Sequence, residues 1–397
     1  MKMIKTQDNN LTKESQKKQL GQFFTKNSDY ILSGFGKFVK GKKVSDPFAG
    51  SGDLLLWAKK NYAKSAKGFD IDKKYIDNKK VFYQDSMSKK ANYEFVVTNP
   101  PYLNINKANS EIKKKYFQDS GFEDLYQISL KALLNSKEGI VIVPINFLSA
   151  KNSKKIREIF FSKFKIIRMN YFKQQVFPDT TYNVIAFYYQ LKKKNENSFI
   201  IKTNIYPENK VVSIELNKQF DWSIGGDFLK IIEKEKNILG IKRLTEKDLE
   251  KSKGEIEVKI AYNHVKNVRT IKVSENIYNL LKSNVILLKA IDSGTEKGKI
   301  SLENIKRYNV ECLISKETSR HMIYLVFENV ISIKEQEEII RLFNQEINKL
   351  RDNYLSLFLT NYRDNDRKRI SFDFVYKFIN YLYLNHISSF GRQGQLI

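Results

Sequence analysis

An Asn, two prolines and a Tyr, Asn99-Pro100-Pro101-Tyr102, follow the apolar run Phe95–Val97 after a single Thr. Each proline fixes its own φ and pushes the residue before it away from the helical region, so the pair ends a strand and stiffens the corner after it. The Asn99 side-chain oxygen and the Pro100 carbonyl could each accept one proton of a single planar amino group. Two such acceptors, off the ring plane, draw a conjugated nitrogen toward tetrahedral geometry and localise its lone pair. An amine such as adenine N6 needs that help before it can act as a nucleophile. In-line displacement at a methyl group then depends on positioning and charge complementarity more than on a general base. Tyr102 would offer a stacking face to a base taken out of its duplex. Alone, the tetrapeptide reads more readily as a rigid turn at a strand end, and its neighbours decide.

Three other groups bear on that choice. In Asp46-Pro47-Phe48-Ala49-Gly50-Ser51-Gly52 the two glycines stand between an apolar strand and a helical pattern. They allow close approach of the backbone to a ligand, and the helix start offers free N–H groups. The longer Gly-rich phosphate fingerprint is absent, which argues against a dinucleotide. Asp70 lies twenty residues past Gly50, a spacing suited to a carboxylate that accepts both hydroxyls of a ribose. Asp72 competes for this role but reads better as a helix cap. Asp85 ends a third short strand and could accept an adenine amino group. Four strand ends bearing these groups form one row, and a nucleoside without phosphate fits the row: S-adenosylmethionine.

The elements that must hold them alternate between strand and helix through the first 190 residues, as in 43–60, 65–80, 81–86, 93–102, 121–135, 139–148 and 152–190. The stretch Lys73–Val81 has a helix-like pattern. This grammar predicts an α/β fold with a doubly wound, mostly parallel, seven-stranded Rossmann-like sheet, whose carboxyl edge is the place for ligands. The polar run Leu191–Ser198 reads as a linker. It divides the chain into domains at 1–195 and 196–397, the second α+β: a hairpin around Pro207, an alternating strand at 254–262, a long amphipathic helix from Lys334 and a last apolar helix from Phe372.

Of 397 residues, 70 are Lys or Arg and 44 Asp or Glu, a net charge of +26. Residues 1–195 carry 37 basic and 17 acidic residues, the remainder 33 and 27. The excess is therefore local, and it favours a polyanionic partner. Arginine, which reads guanine edges bidentately, is concentrated in the second part. A single cysteine rules out an internal disulfide framework and fits a reducing cytosol. Three scattered histidines argue against a zinc site, and no metal is expected. No run is long and apolar enough for a membrane span, and the N-terminus lacks a secretory pattern.

Taken in order, these motifs resemble the gamma class of adenine-N6 DNA methyltransferases of restriction–modification systems, over residues 21 to 190. "GQFFT" is similar to the family's N-terminal element, which implies that Phe24 and Thr25 pack on the methionine part of the cofactor. "DPFAGSG" matches the cofactor loop, adding Phe48 and Ala49. "GFDID" matches the ribose motif with Ile71, "QDS" the adenine motif and "TNPPY" the catalytic motif. "QVFPDTTYNVIAF" matches the segment whose aromatic, here Phe177, stacks on the far face of the target base. The resemblance implies a monomeric, cytoplasmic, S-adenosylmethionine-dependent enzyme that flips an adenine out of double-stranded DNA, with residues 196–397 as target-recognition domain. A type II system is the context, and a cognate restriction endonuclease is left open as partner. Lys113, Lys114, Lys115, Arg367 and Arg369 are candidate contacts to the DNA backbone. The catalytic motif also occurs in enzymes acting on protein glutamine or rRNA, cytosine-N4 methylation uses the same geometry usually with Ser in place of the Asn, and an inert DNA-specificity module is a further alternative. Asn rather than Ser at position 99 favours adenine.

Overall fold

Val44, Phe95, Val96, Val97 and the run Ile140–Val143 are all buried. Unbroken apolar runs of this kind mark strands covered on both faces. They lie in a computed structural model of the chain that describes residues 21, 25, 27–178, 182–193, 196–250, 254–293, 295, 298–354 and 368–388. The chain divides into two compact units, with the main boundary between Ile224 and Gly225.

The first unit is built on β1 (Lys43–Asp46), β2 (Ser65–Asp70), β3 (Val81–Tyr83), β4 (Tyr93–Thr98), β5 (Ser136–Pro144), β6 (Phe164–Phe172), β7 (Val184–Leu191), β8 (Ser198–Tyr206) and β9 (Lys210–Asn217). Their order in the sheet is β3-β2-β1-β4-β5-β7-β6-β8-β9. Strands β3 to β5 pair in parallel, and β7 runs antiparallel between β5 and β6. The strand order reverses between β1 and β4, which opens a crevice at their carboxyl ends. This is the class I methyltransferase sheet, seven strands as expected, extended by β8 and β9. Helix α1 (Asp53–Lys60) buries Leu54, Leu55, Trp57 and Ala58. Helix α2 (Leu125–Ala132) starts at a capping box of Asp124 and Gln127, and α3 is Lys154–Lys163.

Two sequence expectations are corrected here. The segment 73–81 is a single turn at Lys73–Tyr75, not a helix. The Asp77 carboxylate takes the N–H groups of Lys79, Lys80 and Val81, and Asn78 adopts φ 54°. Both features compete with helical pairing. Residues 198–217 do form the hairpin around Pro207, but β8 pairs in parallel with β6 from Arg168↔Lys202 to Phe172↔Tyr206. The first unit therefore runs to Ile224 rather than to residue 195. Trp222 packs on Phe161 and Phe199 and holds the segment that follows.

The second unit is α+β. It has a four-stranded sheet, β10-β16-β13-β14, and a three-stranded sheet, β12-β11-β15. The strands are β10 (Ile241–Arg243), β11 (Ile256–Tyr262), β12 (His264–Val273), β13 (Ile286–Lys289), β14 (Ser301–Asn304), β15 (Cys312–Ile314) and β16 (Met322–Phe327). Its helices are α4 (Gly226–Glu233), α5 (Glu275–Lys282), α6 (Ile333–Tyr354) and α7 (Phe372–Leu382). Val258, Ile260, Leu287, Leu313, Tyr324 and Val326 are central in its core. Asp292 joins three segments by accepting two bonds from the Arg351 guanidinium, at 2.8 and 2.9 Å, and the Ile300 and Lys368 N–H groups. Among the described residues no helix is long and apolar enough to cross a membrane, and no group of three His, Cys, Asp or Glu could hold a metal.

Candidate active site

The loop between β1 and α1 is stitched to the end of β2. Ala49 N–H donates to Phe69 O at 2.9 Å, and Gly52 N–H to Ala49 O at 2.8 Å. Gly50 N–H donates to Asp70 Oδ2 at 2.8 Å, and Asp72 N–H to Asp70 Oδ1 at 2.8 Å. Gly50 and Gly52 both have positive φ, 47° and 82°, which explains why this turn takes glycine. Gly68 was not singled out in the sequence. A Cβ there would lie 2.6 Å from Ala49 Cβ and 2.8 Å from Leu55 Cδ1, so only glycine lets β2 lie against the loop. Burial raises the Asp70 pKa, against the pull of the Asp72 and Gly50 N–H groups.

Asp46, at the end of β1, is buried. Its Oδ1 accepts the Thr98 hydroxyl at 2.6 Å and the Phe48 N–H at 3.1 Å. Its Oδ2 is also buried and has no hydrogen-bond partner among the described residues. Burial pushes the Asp46 pKa up to about 7; the bonds from Thr98 and Phe48 pull it down, and the charge of Asp70 adds to the rise. Thr98, another residue the sequence reading passed over, ties the β1 carboxylate to the strand that carries the catalytic tetrapeptide.

Asn99 follows Thr98 and is 8% exposed. Its Nδ2 donates to Thr25 Oγ1 at 3.2 Å, and its Oδ1 accepts the Tyr102 hydroxyl at 2.6 Å. That hydroxyl has a second acceptor, Ile142 O on β5, at 2.8 Å. The Tyr102 N–H donates to Gly21 O at 2.9 Å. Gly21 has φ 61°, and a Cβ on it would meet the Tyr102 backbone at 3.0 Å. Gly21 and Thr25 thus brace the corner from one side and β5 from the other.

Asp85 is gripped from the segment beyond the corner. Its Oδ2 accepts Ser88 Oγ at 3.0 Å and Tyr116 OH at 3.1 Å, and lies 2.9 Å from Lys115 Nζ. Burial raises the Asp85 pKa, but Lys115, Ser88 and Tyr116 together outweigh it and leave the group more acidic than usual. Lys115 is therefore engaged in an ion pair with Asp85 while its side chain stays exposed. Lys113 and Lys114 are exposed beside it.

Thr25, Asp46, Phe48, Ala49, Gly50, Asp70, Ile71 and Asp85 all line one cleft of about 800 Å³, open to solvent, and Asn99 and Pro101 form part of the same wall. Gly52 turns away to a neighbouring hollow. Phe24 and Arg367 lie outside the described residues. Met87, Ile112, Tyr116 and Leu125 supply apolar wall that the sequence reading did not name. Pro100 is buried, between two residues that line the cleft. The two expected stacking rings are placed differently from the expectation. Tyr102 is 6% exposed and meets Tyr126 edge-on, Phe177 is 2% exposed, and neither lines the cleft. Arg369 is half-buried, in a short bridge with Ile291 rather than on an open turn.

Residues 5–177 match the family described as Eco57I restriction-modification methylase. This segment is similar to a restriction-modification methylase domain. It contains the whole β1–α1 loop, the three carboxylates and the Asn99–Tyr102 corner of the cleft. No curated protein matches the chain. Among solved structures, the type IIL restriction-modification enzyme MmeI in complex with DNA is similar in fold over 89% of this chain and 64% of its own, at 10% identity and a TM-score of 0.52. A modification subunit of a putative type I restriction enzyme from Vibrio vulnificus YJ016 matches 72% of this chain and 60% of its own at 13% identity, TM-score 0.38. The methyltransferase subunit of a type I system from Streptococcus thermophilus matches 46% and 48% at 19% identity, TM-score 0.34. The matched segment is joined to a second unit, and the likeness to MmeI extends beyond the matched segment.

Proposed function

We propose that the protein methylates adenine N6 at a specific site in duplex DNA, using S-adenosylmethionine. The observation that carries this reading is the meeting of Asn99 and Pro101 with Asp46, Gly50, Asp70 and Asp85 in one cleft at the switch point of the sheet. S-Adenosylmethionine, when bound, supplies a methyl group on a cationic sulfur. The cleft fits a cationic nucleoside, because the buried Asp46 Oδ2 is an acceptor still to be used and favours a positively charged donor. Asp70, with each oxygen already anchored by one N–H, retains lone pairs for ribose hydroxyls. Asp85 suits an adenine amino group.

The chain's own residues then act on the target amine. Asn99 Oδ1 and the Pro100 carbonyl accept its two protons and pull the nitrogen out of conjugation. The Thr25 hydroxyl and the Tyr102 hydroxyl hold the Asn99 amide in one orientation. Tyr102 and Phe177 stack on the base only after the surroundings open, since both are buried here. The second unit, 225–397, is the target-recognition part. The likeness to MmeI, whose structure is a complex with DNA, and the charge of +26 support DNA as partner. The enzyme acts as a monomer in the cytosol, with a cognate restriction endonuclease as the protein to look for beside it.

The test is to incubate the full chain with labelled cofactor and mixed-sequence duplex DNA and to map the modified bases. N6-methyladenine at one short motif is expected. Label found only in cytosine, RNA or protein would overturn the assignment.

A further inference from the structure

The middle of β12, residues 266–270, does little for the core of the second unit. β12 is an edge strand, and Lys266, Asn267, Val268, Arg269 and Thr270 are all exposed, although they alternate between its two faces. Core packing is carried mainly by β11, where Val258, Ile260 and Ala261 are buried, and by Val273 at the end of β12, with Tyr262 and Val265 packed against the same core. Between Glu257 and Glu275 the chain carries Lys259, Lys266, Arg269 and Lys272 and no acid. The pairing of Lys259 with Thr270 and of Ala261 with Val268 puts Lys259, Lys266, Val268 and Thr270 on one face. Val268 stands 45% exposed among these polar neighbours. Among the described residues no ion pair engages Lys259 or Lys266, whereas Lys272 is neutralised by Glu255. A bulge between Ala261 and Tyr262 re-aims the strand end, and the Arg269 guanidinium lies 4.4 Å over the Tyr262 ring, which limits its freedom before any partner arrives.

We propose that this hairpin is the element of the second unit that enters the major groove of duplex DNA, which rests on the reading of the protein as a DNA methyltransferase. A two-stranded antiparallel ribbon is a shape the major groove admits. Lys259 and Lys266 meet phosphates or guanine edges, Val268 meets a thymine methyl, and Arg269, already stacked, takes a phosphate at the flank. Lysines on an edge strand also prevent strand-to-strand association, and the test separates the two roles.

Full-length protein, saturated with cofactor, is titrated with duplex containing the mapped site at several salt concentrations, followed by fluorescence anisotropy. The double variant Lys259→Ala/Lys266→Ala should bind at least about tenfold more weakly and reduce the log–log salt slope by about 2, one for each phosphate that is no longer neutralised. Val268→Ala should relax the choice at one base pair of the methylated motif. Cofactor affinity and thermal melting should remain at the wild-type level, since all three side chains are exposed. Unchanged duplex affinity, slope and motif in these variants would overturn the proposal. So would variants that aggregate while binding the duplex normally. Wild-type protein that binds no duplex would instead sink the proposed function itself.

Discussion

Cofactor binding should be strongly pH-dependent, and Asp46 sets the window. The unliganded carboxylate titrates near 7, because burial of the group, with Oδ2 unpartnered, outweighs the bonds from Thr98 and Phe48. A cationic donor binds its ionised form. Below about pH 7 each further unit removes a proton-free fraction worth a factor of ~10, or about 1.4 kcal/mol of binding. The Kd for S-adenosylmethionine should therefore rise about fivefold between pH 7 and pH 6, since about half the carboxylate is ionised at the pKa, and about tenfold more by pH 5. Above about pH 8 an α-amino group loses its own charge, so affinity should peak between the two. Titration calorimetry across pH 5 to 9 on wild type and Asp46→Asn reads this directly. The variant should bind weakly at all pH values and lose the acid limb. The unliganded protein carries the opposite sign. Folded Asp46 keeps its proton up to about 7, whereas an unfolded Asp has lost it by about 4. The folded state thus binds the extra proton in that window, and stability falls as pH rises through it, then levels off. A flat affinity profile from pH 5 to 7 would refute the reasoning, as would an Asn variant with the wild-type acid limb.

Other outcomes follow from the geometry of the corner. Asn99→Ala should abolish turnover while calorimetry shows cofactor binding retained; substantial methylation by this variant would remove Asn99 from its role. Tyr102→Phe deletes a hydroxyl with two acceptors, Asn99 Oδ1 and Ile142 O. Leaving buried acceptors unpaired costs about 1–3 kcal/mol of stability; kcat should fall with little change in cofactor affinity, because Asn99 loses one of its two anchors, and a kcat within twofold of wild type would count against it. Gly21→Ala places a Cβ 3.0 Å from the Tyr102 backbone at φ 61°, and should lower stability in urea by about 1–3 kcal/mol with a parallel loss of rate. Phe177→Ala removes a buried ring and should destabilise by about 3–5 kcal/mol, in addition to any loss of methylation.

The sequence showed much of the site because its chemistry sits at strand ends, where glycines, carboxylates and prolines break a β pattern visibly. Asp46, Gly50, Asp70, Asp85 and Asn99 could each be placed from that break alone, and the sheet's order then brought them together. Thr98 was hidden by its propensity: a threonine closing a strand looks like any β-former, and only the neighbouring strand shows that its hydroxyl serves Asp46. Gly68 was hidden for a similar reason, since a glycine in a strand does not say which atom approaches it. The boundary at Ile224 was illegible because Phe199, Ile201, Thr203 and Ile205 alternate inward identically whether β8 starts a new sheet or joins an old one. Tyr102 and Phe177 show the limit for aromatics. A ring beside a catalytic corner carries the same letter whether it waits in the open or lies in the core.

Asp85 decides how far the segment after the corner must move when cofactor enters. Its two oxygens are unequally used. Oδ2 already serves Lys115, Tyr116 and Ser88 Oγ, whereas Oδ1 accepts the Ser88 N–H at 3.3 Å. A carboxylate offers about four lone-pair sites, so an amino group can take Oδ1 while Lys115 and Tyr116 stay on Oδ2. Tyr116 and Ile112 line the cleft, and this arrangement keeps them there as apolar wall over the ligand. If instead the amino group displaced Lys115, that wall would leave with it and cofactor binding would open the cleft. Lys115→Met separates the two cases. Retention of the clasp predicts weaker cofactor binding in the variant, because Tyr116 loses its neighbour and the wall loosens. Displacement predicts tighter binding, because a competitor for Asp85 is gone, and a calorimetric titration that gave the tighter value would rule out the shared carboxylate.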